Sequence, residues 1–202
     1  MQTAQDLVRR GQYREALTKY QEFLARPTAQ LTPELRGYVL SQIADVDNGL
    51  GDYAGAETRA REALRLLDGA KEAHTTIFAI AEDAFAEALR GEGNYFEENN
   101  VAEQAVSLAR QTLDTLSPRL AILLTGLARA LEDREETGHA LKLYTQAAFI
   151  FAEAEEGNTI ELGSAYANLA NAYVRLGDPK KTGQAVNLAL AIWKEVLPPN
   201  DA

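Results

Sequence analysis

The sequence has no cysteine, only two histidines and no long uninterrupted apolar run. The lack of cysteine excludes disulfide frameworks and thiol chemistry, and it suits a cytoplasmic protein. The longest apolar stretch, residues 120–131, contains Arg129 and is too short to cross a bilayer. The N-terminus has no apolar core of the kind that a signal peptide needs. We therefore predict a soluble chain with no membrane segment.

Basic residues are scarce beside acidic ones, at 20 Lys and Arg against 30 Asp and Glu, which gives a net charge of −10. Because an acidic surface repels phosphate groups, neither nucleic acid nor an anionic membrane is expected as a direct partner. Val, Ile and Thr are scattered, and no alternation of apolar and polar residues reaches the length of a strand. Abundant alanine and leucine instead favour an all-helical chain.

The stretch from Tyr166 to Asp178 organises the chain, because earlier segments align with it as copies. Its apolar residues follow helical spacing, and Gly177 ends that helix just before Pro179 begins another. The aligned turns start 40, 42, 42 and 42 residues apart, at Gly11, Gly51, Gly93, Glu135 and Gly177. The turn of copy four therefore lacks its glycine. The repeat predicts five pairs of antiparallel helices.

Small residues mark further positions of each copy. An alanine stands seven residues before every turn, at Ala4, Ala44, Ala86, Ala128 and Ala170. The position five residues after the turn start holds Ala16, Ala56, Glu98, Ala140 and Thr182, and the position twelve after it holds Phe23, Ala63, Ala105, Ala147 and Ala189. Small side chains let two helix axes approach closely, so we interpret these positions as contact points. Glu98 and Thr182 are interpreted as drift within one type of unit.

Capping residues indicate several helix ends. Thr32 precedes Pro33 and Ser117 precedes Pro118, which is the arrangement of an N-cap followed by a first-turn proline. Asn158, with Glu161 three residues later, resembles a capping box. The predicted helices include residues 14–25, 33–48, 53–67, 73–90, 95–116 and 138–154.

These patterns resemble the tetratricopeptide repeat (TPR). The family's first-helix and second-helix patterns are matched by Tyr166, Leu169, Ala170 and Tyr173 of copy five and by Gly11, Tyr13, Ala16 and Tyr20 of copy one. The period exceeds the usual length of about 34 residues and is similar to the units of about 42 residues in kinesin light chains and several bacterial regulators. The resemblance implies an all-α superhelix, or solenoid, forming one domain over residues 1–202, with repeats at about 1–27, 32–68, 72–116, 117–156 and 158–198.

In TPR proteins the free face of each first helix lines a concave groove that receives a peptide or helix of a partner. Carried onto this chain, the resemblance assigns to the groove Tyr38, Ser41, Asp45, Asn48, Ile80, Asp83, Glu87, Arg90, Ile122, Thr125, Arg129, Glu132, Ser164, Ala167, Asn168, Asn171 and Arg175. The acidic residues of copies two and three would favour a basic ligand, whereas Arg129 and Arg175 would favour an acidic one. A solvated face without a partner is the alternative interpretation.

The chaperone-binding subtype of the family is not expected. Its members hold a C-terminal carboxylate with lysines and asparagines, and only Asn168 and Asn171 resemble that set here. The equivalent positions of copies two and three are acidic.

No catalytic, cofactor-binding or metal-binding group is predicted. His74 and His139 lie far apart in the repeat and give no metal-ligand spacing. Gly91 and Gly93 superficially resemble a phosphate-binding loop, but no strand precedes them and the repeat already accounts for Gly93. We therefore expect a protein that is not an enzyme.

The last helix carries two apolar stripes. The stripe expected to pack inside copy five is Val186, Ala189, Leu190 and Trp193, and the second is Ala185, Leu188 and Ile192. In a helical array the second stripe meets a following helix. We predict that it is covered by self-association, which gives a homodimer, or by a further segment.

Two functions are consistent with this pattern. The first is a non-catalytic scaffold that holds a peptide or helical segment of a protein partner in the groove. The alternative is a sensor or regulatory arm, because similar long repeats in bacterial signalling proteins and transcription regulators respond to an effector. The sequence itself has no helix-turn-helix, P-loop or basic patch. The identity of the partner does not follow from the fold.

Overall fold

A computed structural model describes residues 2–26, 31–68, 75–154 and 159–196. Within these ranges the chain is helical and contains no strand. The ten helices are α1 (Gln2–Arg9), α2 (Tyr13–Leu24), α3 (Pro33–Leu50), α4 (Tyr53–Asp68), α5 (Thr75–Gly91), α6 (Tyr95–Thr112), α7 (Pro118–Asp133), α8 (Thr137–Glu153), α9 (Ile160–Arg175) and α10 (Pro179–Val196).

Consecutive helices pack in the predicted pairs, with α1 on α2, α3 on α4, α5 on α6, α7 on α8 and α9 on α10. The chain divides into two compact units, Met1–Thr112 and Leu113–Ala202. In the first unit α2 also packs on α3, and α5 packs on both α3 and α4. In the second unit α8 also packs on α9. The prediction of an all-helical chain built from helix pairs is confirmed.

The turn between the helices of each pair has one conformation in all five copies. Four turn glycines have left-handed backbone, with φ between 71° and 79°. Glu135 adopts the same conformation, with φ of 64°, although it carries a side chain. Its amide donates to Glu132 O at 2.9 Å, just as the amide of Gly177 donates to Val174 O at 3.0 Å. Copy four therefore keeps the turn of the repeat without its glycine.

The small residues of the repeat lie in the core. The five alanines that stand seven residues before the turns are at most 5% exposed. The second-helix alanines at positions 63, 105, 147 and 189 are at most 2% exposed. Burial of these side chains is what close packing of helix pairs requires.

Several helix ends differ from the predictions. The Thr32 side chain accepts from Leu35 N, as expected of an N-cap, but Ser117 makes no such bond. The cap of α9 is Thr159, whose side chain accepts from Leu162 N, whereas Asn158 lies outside the described residues. Helix α6 ends at Thr112 rather than near residue 116. Beyond it Asp114 accepts from the amides of both Leu116 and Ser117, and this local turn competes with helix continuation.

Candidate ligand-binding site

The second unit contains a cleft between its two first helices, α7 and α9. A cavity of about 210 Å³ opens there, and five of the predicted groove residues line it, including Thr125, Arg129 and Asn168. Ile122 and Ser164, which belong to the same predicted faces, are the other two. The structure thus brings together side chains that lie about 40 residues apart in the sequence, because equivalent positions of neighbouring repeats are adjacent in a helical array.

Helical spacing explains why these side chains share one cleft. Residues 122, 125 and 129 follow each other at intervals of three and four, which places them along one face of α7. Residues 161, 164, 165 and 168 do the same on α9. The hydroxyls of Thr125 and Ser164 donate to the carbonyls of Ala121 and Ile160, four residues earlier in each case.

The cleft is largely apolar at its floor and along one edge. Phe151 of α8 and Ala165 of α9 form the floor and are 6% and 2% exposed. Ile122 and Ile160 stand at the edge and are 38% and 48% exposed. Exposed branched aliphatic side chains that line a cavity together with a buried aromatic ring make a surface that gains free energy when an apolar group covers it.

A second cavity, of about 770 Å³, extends the cleft towards the N-terminal ends of α7 and α9. It shares Ile122, Phe151 and Glu161 with the first cavity. Asp114 and Glu153 also line it, so three carboxylates surround this end. Arg129 lies two helical turns further along α7 than Ile122. The cleft, called here the α7–α9 cleft, therefore has an acidic end, an apolar middle, and Arg129 with Asn168 at the other end.

The sequence did not predict four residues that line the smaller cavity, Phe151, Ile160, Glu161 and Ala165, or Asp114 and Glu153 of the larger one. Phe151 belongs to a second helix, and only first-helix faces were assigned to the groove. The repeat contains one indication of Phe151, because a second large aromatic residue, Trp193, occupies the equivalent position 42 residues later. Ile160 and Glu161 lie in the first turn of α9, which begins after the Thr159 cap.

Glu132 and Arg175, both predicted to face a ligand, form part of an internal network. Arg175 Nε lies 3.7 Å from Glu132 Oε1, and the Tyr144 hydroxyl donates to Glu132 Oε2 at 3.0 Å. The Glu132 side chain is only 11% exposed, whereas that of Arg175 is 54% exposed. Glu132 therefore links α7, α8 and α9, and its carboxylate is largely withdrawn from solvent. Asn171 is exposed on α9 but does not line either cavity.

In the first unit, three of the predicted groove residues are buried. Ser41 is fully buried and its hydroxyl donates to Tyr38 O. Asn48 is 9% exposed, and its amide donates to Ala84 O at 2.9 Å, which joins α3 to α5. Ile80 is 5% exposed. The prediction that these side chains face a ligand is therefore wrong, because packing between the first helices α3 and α5 covers these three residues.

The other predicted residues of the first unit are half-buried: Tyr38, Asp45, Asp83, Glu87 and Arg90. The hydroxyl of Tyr38 accepts from Gln5 Nε2 at 2.6 Å, and Asp45 accepts from Gln42. Arg90 lies 3.9 Å from Glu98. Asp83 and Glu87, one helical turn apart on α5, keep the negative character that the sequence predicts for this face.

The first unit also buries acids at positions that are apolar in other copies. Asp47 stands where other copies have Leu89 and Leu131, and Glu82 stands where they have Leu40 and Leu124. Burial raises the pKa of Glu82 to about 7, and it raises the pKa of Asp47 to about 6 although Arg59 lies 2.8 Å away. The sequence indicates both buried acids, because each is an acidic residue at a repeat position where other copies have leucine.

The apolar edge of α10 differs from the prediction. Ala185 and Ile192, predicted to lie on the open edge, are 5% and 7% exposed, so they pack inside the unit. Val186 and Leu190, predicted to be internal, are 40% and 47% exposed. Leu188 is exposed as predicted, at 47%. Ala189 is buried as predicted, at 2%, so the structure divides each predicted stripe between the inside of the unit and its surface, because the helical period alone does not show which apolar face meets α9.

Among the described helices, none combines the length and apolar character needed to cross a membrane. The described residues also contain no group of three or more His, Cys, Asp or Glu side chains placed to hold a metal ion. His139 is exposed and lies 3.1 Å from Glu136, while His74 lies outside the described residues.

No protein-family model matches the chain, and no curated protein matches it by sequence. Solved structures do resemble it. BtubC (BKLC) from P. vanneervenii is 20% identical with a TM-score of 0.74, and the match covers 98% of this chain and 81% of that one. A putative kinesin light chain with nearly identical TPR-like repeats from Podosopora anserina is 20% identical, with a TM-score of 0.68 and coverage of 96% and 92%.

A Rap protein complexed with Competence and Sporulation Factor is 16% identical with a TM-score of 0.78, and the match covers 96% of this chain and 53% of that one. At these identities the likeness concerns the fold. The chain has the all-α fold of TPR-like repeat proteins.

Proposed function

We propose that this chain is a non-catalytic protein-interaction scaffold that holds a peptide or helical segment of a partner in the α7–α9 cleft. The observation that carries the proposal is the convergence of Thr125, Arg129 and Asn168 on one open cavity. A scaffold acts through shape and charge, and its site needs an apolar anchor position with polar groups placed beside it.

The shape of the cleft favours a chain-like ligand. Two cavities share three lining residues and together run along α7 and α9. The smaller cavity, of about 210 Å³, is below the range of roughly 300–1,000 Å³ that is typical of small-molecule sites, and the larger, of about 770 Å³, is within it, so the elongated shape rather than the volume favours a chain-like ligand. An apolar side chain of a bound peptide would cover Ile122 and Ile160, while the peptide continues towards the larger cavity.

The charges favour an oriented ligand. Asp114, Glu153 and Glu161 would attract a basic residue at one end, and Arg129 would attract a carboxylate at the other. The Asn168 amide has both a donor and an acceptor for a peptide backbone. The Rap structure, which has Competence and Sporulation Factor bound, supports the proposal by showing that a similar fold is solved with a second molecule.

Selection from a displayed random-peptide library against the whole chain tests this function. We expect enriched peptides to carry an apolar anchor, and we expect the variants Ile122→Asp and Arg129→Glu each to lose at least tenfold in affinity for them. Phe149→Asp is the matched control, because Phe149 is exposed on α8 but lines neither cavity. Enrichment of no peptide, or equal binding by Ile122→Asp, would overturn the proposal.

The alternative function is a sensor or regulatory arm of a bacterial signalling or transcription-regulator protein. One observation favours it: the match to the Rap protein covers only 53% of that chain, so a similar array is part of a longer protein there. This alternative predicts that ligand binding to the cleft changes the activity of an attached domain. A natural reading frame with no such domain would contradict it.

A further inference from the structure

Helix α10 exposes an apolar stripe on a different face of the second unit from the α7–α9 cleft. Val186 and Leu190, one helical turn apart, are 40% and 47% exposed, and Trp193 beside them is half-buried. These three residues, called here the α10 stripe, are spaced at intervals of four and three. That spacing is the pattern of a helix face which packs against another helix.

The repeat register shows what this face does in other copies. The position of Val186 is held by Tyr20, Ala60 and Tyr144 in copies one, two and four, and all three are at most 1% exposed. Tyr20 belongs to a core cluster with Val39 and Ile43 of α3, the first helix of the next copy. The position of Leu190 is held in copy four by Ala148, which is 5% exposed.

In those copies the second helix packs on the first helix of the next copy, as α2 does on α3, α4 on α5 and α8 on α9. The α10 stripe is therefore the surface that the fold uses to receive a helix. Among the described residues no helix covers Val186 or Leu190, whereas Trp193 is half-buried because one side of its ring packs on Gly163 of α9. The partner that fits this surface is a helix with an apolar face.

The charged residues beside the α10 stripe indicate which kind of helix would bind there. Lys180, Asn187 and Lys194 lie at intervals of seven residues and flank the α10 stripe. The equivalent positions of α8 are Gly138, Thr145 and Ala152, which are small and uncharged. Neither Lys180 nor Lys194 forms an ion pair with the described residues. The helix-receiving face of α10 is thus locally basic in a chain with a net charge of −10.

We propose that the α10 stripe is a docking surface for an acidic amphipathic helix of a partner protein. The apolar face of that helix would carry leucine and small residues, like the buried row Leu162, Ala165, Leu169 and Ala172 of α9. Carboxylates at the edge of the helix would pair with Lys180 and Lys194. A second copy of this chain fits less well, because two α10 helices packed together would bring lysines of like charge to one interface.

The test uses the whole chain and two synthetic helix-stabilised peptides based on residues 159–176. One peptide carries Glu at positions 164, 171 and 175, and the other carries Lys there, because these positions are exposed in α9. Fluorescence anisotropy is expected to show at least tenfold tighter binding of the Glu peptide. The double variant Lys180→Glu with Lys194→Glu is expected to reverse this preference.

Two further variants locate the binding. Leu190→Gln is expected to weaken binding of the Glu peptide at least tenfold, and Leu188→Gln to leave it unchanged. Leu188 is the matched control because it is equally exposed, at 47%, but points to the other side of α10. Equal binding of both peptides, no binding, or no effect of Leu190→Gln would overturn the proposal. A light-scattering mass of two chains that falls to one in Leu190→Gln would also overturn it, since the occupant would then be a second copy.

Discussion

The indole ring of Trp193 lies directly against the backbone of Gly163, so that a Cβ at residue 163 would fall 2.6 Å from the indole Cδ1. The ring joins the last helix to the first helix of copy five, and its Nε1 approaches Ile160 O at 3.5 Å. The same relationship holds in copy two, where a Cβ at Gly37 would lie 2.9 Å from Leu67 Cγ. A large side chain in the second helix thus packs on a glycine in the first.

We predict that Gly163→Ala destabilises the chain, because the added methyl group displaces a packed ring. Overpacking of this kind costs about 1–3 kcal/mol. Gly183→Ala is the matched control, since Gly183 lies in the second turn of α10 and a Cβ there meets no atom within 4 Å. That substitution is expected to stabilise the helix by roughly 0.5–1 kcal/mol. Urea unfolding of both variants checks the pair, and two changes of the same sign would contradict it.

The left-handed backbone of Glu135 predicts that Glu135→Gly stabilises the chain. A residue with a side chain costs roughly 1–2 kcal/mol in this conformation, and glycine adopts it readily. The expected gain is about 1 kcal/mol in the free energy of unfolding. Gly177 allows the opposite substitution, from glycine to a residue with a side chain. Its φ is 71°, and an added Cβ would have no atom within 4 Å.

Gly177→Ala is therefore expected to cost about 1 kcal/mol through the backbone alone. Thermal unfolding measures both variants. A loss of stability in Glu135→Gly would show that its side chain contributes more than the strained backbone costs.

Glu82 predicts a pH dependence of stability. Burial raises its pKa from 4.5 to about 7, so the folded chain holds this proton at pH values where the unfolded chain has lost it. Stability is therefore lost as the pH rises from about 4.5 through 7. The full difference between the two pKa values corresponds to about 3 kcal/mol.

Glu82→Leu removes this dependence, and Leu40 and Leu124 show that leucine is buried at the same repeat position. We expect the difference in the free energy of unfolding between the variant and the parent chain to be larger at pH 8 than at pH 5, because only the parent chain loses stability over this range. Denaturant unfolding at both pH values measures this difference. Glu22→Gln is the control, since its side chain is 58% exposed. An equal difference between variant and parent at the two pH values would contradict the assignment.

The ion pair between Asp47, which is buried, and Arg59, whose side chain is 31% exposed, predicts that substitutions of the two residues are not additive. Arg59 Nη1 lies 2.8 Å from Asp47 Oδ2, and the aspartate side chain is 2% exposed. Arg59→Leu leaves a buried carboxylate without its cation and is expected to cost about 3 kcal/mol at pH 8. The cost should be smaller at pH 5, because burial raises the pKa of Asp47 to about 6 and the carboxyl group is then mostly protonated.

The double variant Asp47→Leu with Arg59→Leu is expected to be at least as stable as the parent chain, because the equivalent Leu89 is fully accommodated at 1% exposure. A double-mutant cycle in urea measures this coupling. A double variant as unstable as Arg59→Leu would show that the pair stabilises the fold by more than its desolvation costs.

The repeat, the helix pairs and the turns are predictable from the sequence, because each depends on local chemistry. Helical spacing, turn glycines and capping threonines act over a few residues, so residues 11, 51, 93 and 177 predict left-handed turns without tertiary information. The repeat even predicts the turn at Glu135, where local propensity alone would not, since neighbouring copies share one backbone.

Which helix faces are covered depends instead on the packing between helices. The spacing that placed Ser41 and Asn48 on the free face of α3 is the same for exposed and packed residues, and both are buried. The buried residues of α10 come from both predicted stripes, Ala189 from one and Ala185 with Ile192 from the other, which spacing alone does not predict. The α7–α9 cleft likewise needs Phe151 from α8, a third helix. Burial depends on how neighbouring helices cross, and crossing is a property of packed pairs rather than of one helix.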